Sequence, residues 1–142
     1  MRVYISGKIG EKRISPETRR KFQQAADMLE ARGFKVFNPT TEAWQKAVKQ
    51  AYGEERRRES PRIDGTFPDF YTYTLLRDLM ALASKDAIYM PPDFIDSPGA
   101  KAEHAFAIAA GKQVYYDEEL FHDGTLRGAG YNKHRLPEEA PK

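Results

Sequence analysis

Cysteine is absent from this chain, which excludes disulfides, thiolate metal sites and a cysteine nucleophile. Histidine is scarce: there are three. Glu103-His104-Ala105-Phe106-Ala107 does not reproduce the metal-binding H-E-x-x-H pattern, and His122 and His134 lie in an irregular stretch, so a metal site is not expected. No apolar run approaches the roughly 18 residues of a membrane span. Excess charge of one sign is also missing. The 23 Lys+Arg and 21 Asp+Glu leave a net +2, which gives no chain-wide pull toward nucleic acid polymer or anionic membrane. The first ten residues, MRVYISGKIG, read as a strand and a loop without an A-x-A cleavage pattern, so the expected location is cytoplasmic. Neither Ser6 nor Ser97 has a Gly-x-Ser-x-Gly setting, and Gly7-Lys8-Ile9-Gly10 is neither G-x-G-x-x-G nor a Walker loop. Serine hydrolysis, dinucleotide binding and ATP hydrolysis are therefore weak readings.

What is present suits one soluble domain: 142 residues, 40% hydrophobic and 31% charged. Val3-Tyr4-Ile5, ended by Gly7, reads as a buried strand over Arg2 to Ser6. Ser15-Pro16-Glu17 opens a helix whose Phe22, Ala25, Ala26 and Leu29 share a face, with Gly33 as its terminator. Phe34 to Phe37 is a second strand, stopped by Asn38-Pro39. Strand, helix and strand without a hairpin signal predict a right-handed βαβ unit and a parallel sheet. Thr41 caps a second helix with Trp44, Ala47, Val48 and Ala51 on one face. Residues 53–68, polar with two prolines and two glycines, read as a mobile loop. A third helix starts near Asp69, a third strand covers Asp86 to Met90, a fourth helix runs from about Gly99 to Ala110, and Val114 to Tyr116 is a fourth strand. The expected fold is a three-layer α/β/α sandwich on a mostly parallel sheet of four to five strands, over residues 1–117. Residues 118–142 form an irregular tail, partly disordered or packed on another subunit.

Ligands in such sheets bind at the carboxyl ends of the strands. The Ser6-to-Gly10 loop and the Pro91-to-Gly99 loop belong there. Ser97-Pro98-Gly99-Ala100 has the parts of an anion site: a hydroxyl before free backbone N–H groups, a glycine, and a helix dipole. Glu103 follows one turn later. On local pattern alone, such a sequence more often serves only to open a helix. Taken singly, Asp78 reads as a surface acid, Tyr4 as core packing or a ligand contact in equal measure, and Lys8 as a phosphate contact or a solvated charge. The aromatic stretch Phe67, Phe70, Tyr71 and Tyr73 either stacks on a ring or packs a helix, and packing is preferred.

Taken in order, the residues form a recognisable set. Tyr4-x-x-Gly7-x-Ile9, Asp78 eight residues before Asp86, and Ser97-x-Gly99-x-x-x-Glu103 together resemble the nucleoside 2-deoxyribosyltransferase superfamily. The mechanistic kin within it are the 2'-deoxynucleoside 5'-phosphate N-hydrolases. Asn38-Pro39, Leu79 to Tyr89 and Ser97 to Ala100 are most similar to the branch called DUF4406. The resemblance covers residues 1 to 116, apart from the stretch between Thr41 and Phe70. It implies that Glu103 is the nucleophile and that Asp78 holds the sugar and assists the leaving base. It also implies that Ser97, beside Gly99, contacts a 5'-phosphate, and that Tyr4, Gly7 and Ile9 line the sugar and base pocket. Asp86 is structural in this reading. Lys8 and Gly10 stand where the family has Gly-Pro or a small residue and Arg, so Lys8 is the candidate to supply the missing charge. The resemblance further implies no cofactor, a small nucleoside or nucleotide substrate, and a homo-oligomer in which a neighbouring subunit completes the site.

The chemistry suits these residues. A carboxylate beneath C1' can stabilise an oxocarbenium-like centre or trap it as an ester, and a second acid can protonate the departing base. The expected activity is N-glycosidic cleavage or base exchange on a (deoxy)nucleoside or its 5'-monophosphate. Two other classes stay open: a non-catalytic nucleotide-binding module and a structural or interaction protein. A phosphoribohydrolase of the lysine-decarboxylase-like type is disfavoured, because Pro91-Pro92-Asp93 does not match its Pro-Gly-Gly-x-Gly-Thr stretch.

Overall fold

The computed structural model describes residues 1–7, 9, 14–58, 66–127 and 134–142. Its elements, in chain order, are β1 (Arg2–Ile5), α1 (Pro16–Ala31), β2 (Lys35–Phe37), α2 (Glu42–Arg57) and α3 (Phe70–Ala83). They are followed by β3 (Ala87–Met90), α4 (Pro98–Ala109), β4 (Gln113–Tyr116) and α5 (Glu119–His122). A single 3-10 turn, Phe94–Asp96, precedes α4. Among the described residues the sheet has four strands in the order β2-β1-β3-β4, all parallel. Helices cover both of its faces, so the α/β/α sandwich expected from the sequence is the observed architecture.

Strand periodicity sorts the core. Successive side chains of a strand point to opposite faces. Val3, Ile5, Ala87, Tyr89 and Tyr115 meet Phe22, Ala26 and Leu29 of α1 on one face. Tyr4, Ile88, Met90, Val114 and Tyr116 meet Leu82 of α3, Ala100 and Ala107 of α4, and Leu120 on the other. Full burial of an aliphatic or aromatic side chain is worth about 1.5–3 kcal/mol. Ser15, Thr41, Asp69 and Ser97 each accept a backbone N–H at the start of a long helix, as their residue types require. Gly33 (φ +93°) and Gly111 (φ +71°) close α1 and α4 in the left-handed region that glycine tolerates.

Two segments differ from the sequence expectation. The loop expected at 53–68 starts late, because α2 continues through Gly53 to Arg57. An interior glycine costs a helix about 1 kcal/mol, and tertiary contact offsets it. The Tyr52 ring packs on Phe67, Phe70 and Tyr73, and Arg77 faces Glu55 across to α3. Residues 59–65 of that loop lie outside the described residues. The C-terminal segment is irregular in backbone, yet it packs on its own chain. Leu120 and Leu126 enter the α4-side core, and Leu136 and Ala140 lie against the α1-side core. The Ala140 N–H donates to the Arg32 carbonyl at 2.7 Å, and the Tyr116 N–H to the His134 carbonyl at 3.3 Å. Apart from the short α5, the described residues of the segment are held by these contacts rather than by a helical or strand period, and so no periodicity announces them.

Connectivity fixes where a site can form. The chain leaves β1 toward β2 on one side and reaches β3 on the other side of β1. The carboxyl ends of β1 and β3 are therefore a topological switch point, where departing loops diverge and leave a crevice.

Candidate active site

The alternation that buries Val3 and Ile5 against α1 sends Tyr4 and Ser6 to the α4 side of the sheet. Both hydroxyls donate to one carboxyl group. Tyr4 Oη donates to Glu103 Oε2, and Ser6 Oγ donates to Glu103 Oε1 at 2.8 Å. Glu103 lies midway along α4 and is only 6% exposed. Gly99 sits one helical turn above it on the same face. Burial pushes the Glu103 carboxyl up to about 8, the Tyr4 and Ser6 hydroxyls pull it back down, and Asp78 raises it further.

Asp78 faces inward from α3 and is likewise buried. Its Oδ1 accepts the indole N–H of Trp44, on the first turn of α2, at 2.8 Å. Burial pushes Asp78 up to about 6, while the indole N–H opposes that shift. Tyr4 is driven well above its ordinary value, first by burial and then by the charges of Glu103 and Asp78. Two carboxyls and a phenol thus interact electrostatically in one water-poor space. Of the two acids, Glu103 is raised further and keeps its proton to higher pH than Asp78.

The other residues singled out in the sequence divide. Ser97 is buried and caps α4, its Oγ accepting the Ala100 N–H at 3.2 Å. A Cβ on Gly99 would stand 3.9 Å from both Ser97 Oγ and Tyr71 Oη, so these two hydroxyls flank the α4 N-terminus. Gly7 faces a cleft on the α1 side, lined among others by Ser6, Phe22, Tyr89, Pro91 and Asp93, and Ile9 packs against the α1-side core. The structure therefore brings Tyr4, Asp78 and Glu103 together, and it places Ile9 on the other face. Lys8 lies outside the described residues. Asp86 accepts the Arg2 backbone N–H at 2.8 Å, a contact that serves the strand start. Tyr73 belongs to the α2–α3 aromatic cluster, whereas Tyr71 is 62% exposed. His104 points away from its neighbour Glu103 into the core, with Nε2 at 2.8 Å from Tyr116 Oη.

Sequence reasoning missed two members of the site, Ser6 as a donor to Glu103 and Trp44 as a donor to Asp78. Strand parity with Tyr4 was the available signal for Ser6. Trp44 had none, since its apolar spacing on α2 accounts for it fully. Among the described residues no three His, Asp or Glu side chains are grouped to hold a metal ion, and no helix is long and apolar enough to cross a membrane.

The family model described as a domain of unknown function, DUF4406, matches residues 1–116. The chain belongs to the DUF4406 family. The DUF4406 match ends on the last residue of β4 and so contains every residue of the site just described. Among solved structures, the chain is similar to the 2-deoxyribosyltransferase of the psychrotolerant bacterium Bacillus psychrosaccharolyticus. The two share 17% identity and a TM-score of 0.48, over 82% of this chain and 71% of that one. A likeness of that size assigns neither activity nor substrate. The sequence matches no curated protein.

Proposed function

We propose that this DUF4406 protein cleaves the N-glycosidic bond of a (deoxy)nucleoside or nucleoside 5'-monophosphate, or exchanges its base, with Glu103 as nucleophile. One observation carries the reading: a buried glutamate, gripped by two hydroxyl donors, shares its space with a second buried acid at the switch point of the sheet. A carboxylate that is costly to ionise is strongly stabilised by positive charge, and C1' becomes positive as the glycosidic bond stretches.

In the first step a Glu103 oxygen bonds to C1' while the C1'–N bond breaks. Its electron pair leaves on the base nitrogen, which takes a proton from Asp78; the reacting form is the arrangement of the pair's one proton in which Asp78 carries it and Glu103 is ionised. In the second step water attacks C1', the ester C–O bond breaks, and the water's proton returns to Asp78. A second base in place of water gives transfer. Tyr4 and Ser6 orient the attacking carboxylate and take up its charge in the resting site. Ser97 and the α4 N-terminus supply donors for a 5'-phosphate, so that binding energy remote from C1' positions the sugar. Exposed apolar side chains along α3, among them Leu76 and Met80, support a homo-oligomer.

The test is incubation with a panel of nucleosides and their 5'-monophosphates, with chromatography of free base and sugar. Base release by the wild type and its loss in Glu103→Gln is the expected result. Thermal stabilisation by a nucleotide without base release over long incubation would instead make this a binding module.

A further inference from the structure

The two acids stand at the ends of one unbroken run of contacts. Starting from Asp78, Oδ1 accepts the Trp44 indole N–H at 2.8 Å. The Trp44 ring meets Phe37 edge-on, with centroids 5.0 Å apart and planes at 82°. Phe37 stacks on Tyr4 at 5.5 Å and 15°. Tyr4 then donates to Glu103. The links come from α2, β2, β1 and α4, and each ring has its orientation set by the next. Edge-to-face and offset-stacked pairs resist both rotation and sliding. The contact at Asp78 is also selective, because it engages Oδ1.

We propose that Trp44 is a positioning residue for the reaction: its indole N–H holds Asp78 Oδ1, so that Oδ2 is the oxygen that exchanges a proton with the leaving base, and the Trp44–Phe37–Tyr4 stack sets the spacing of the two acids. This role rests on the glycosidic reading above. It assigns to α2 a function that its apolar face does not announce. The titratable groups facing Asp78 are Glu103 from α4 and Tyr4 from β1. Burial is what disfavours the ionised form of Asp78, and the Trp44 N–H opposes that.

Trp44 is the chain's one tryptophan, which gives the test its resolution. Its indole emission reports the surroundings of this one ring, and replacement of tryptophan by the isosteric benzothienylalanine exchanges one N–H for sulfur at this position and nowhere else. The wild-type emission should titrate with a midpoint near 6, the value to which burial raises Asp78, and should lose that step in Asp78→Asn. The benzothienyl protein should keep the wild-type melting temperature and a KM within twofold. Its kcat should fall about tenfold or more, and the Asp78 limb of its pH profile should move to higher pH. Trp44→Phe, which keeps an aromatic ring and loses the donor, should show the same split between kcat and KM. A benzothienyl protein with wild-type kcat and pH profile overturns the proposal, as does wild-type emission that stays flat across that pH range. A wild type that releases no base overturns the glycosidic reading and this role with it. An active wild type that is indifferent to the loss of the N–H overturns the role alone.

Discussion

The two faces of β1 follow opposite rules within a few residues. Toward α1 the strand presents Val3 and Ile5, which join an apolar cluster with Phe22, Ala26 and Leu29. Toward α4 it presents Tyr4 and Ser6, which serve a buried carboxyl. The α1 side gains stability from every side chain it buries. At its carboxyl edge, the α4 side gives stability up, since Glu103 and Asp78 are both held in forms that water would not favour. One strand thus carries the scaffold on its odd residues and the site on its even ones. The substitutions that separate those roles are accordingly adjacent in sequence.

The largest effect expected is at Glu103. Glu103→Gln should lower base release by about 10⁴-fold or more while raising the melting temperature at alkaline pH. The sign follows from linkage. The folded-state value, about 8, lies above the ordinary 4.5. Stability is then fully present below about 4.5 and declines as pH rises toward 8, because the unfolded chain ionises first. The full cost is about 2–4 kcal/mol at 1.36 kcal/mol per pKa unit, after allowance for relaxation. Melting curves of the two proteins should coincide near pH 4.5 and separate by several degrees above pH 8.

Asp78→Asn should lower kcat by about 10²–10⁴-fold, the usual span for losing a positioned general acid. Wild-type kcat/KM plotted against pH should be bell-shaped, with limbs near 6 and 8, and the asparagine variant should lose one limb. On the opposite face, Leu29→Ala should cost about 2–5 kcal/mol in denaturant unfolding and leave kcat per folded molecule unchanged. A Leu29→Ala protein with full stability, or with kcat reduced in proportion to its loss of stability, would break the division between the faces. The smallest effect belongs to Tyr4→Phe. The ring that stacks on Phe37 is kept and one donor is removed, so kcat should fall about tenfold with the fold intact by circular dichroism.

The scaffold was legible because its signals are local. Val3-Tyr4-Ile5, Ser15-Pro16, Thr41 and Gly111 mark strand, caps and stop through neighbours a few residues away, and β1 and the starts of α1, α2 and α4 lie within a residue or two of their expected places. The site was legible only as an ordered set. Tyr4 and Glu103 are 99 positions apart, and Trp44 and Asp78 are 34 apart. No spacing rule reaches across such separations. Trp44 stayed hidden because one side of its ring packs on Phe37 while its N–H does something else. The α2 extension past Gly53 was hidden for a similar reason, since it depends on rings that arrive from α3.

The parallel register of β1 has a consequence for biosynthesis. Tyr4 and Ser6 leave the ribosome long before their acidic partner, which follows about a hundred residues later on the helix that precedes β4. The nascent chain can pair β1 with β2 early, but it cannot place β3 beside β1, or seat α4, until those later segments have emerged. Glu103 is consequently inserted into a framework that is already half assembled, and a chain stalled before α4 would display two hydroxyls with nothing to hold.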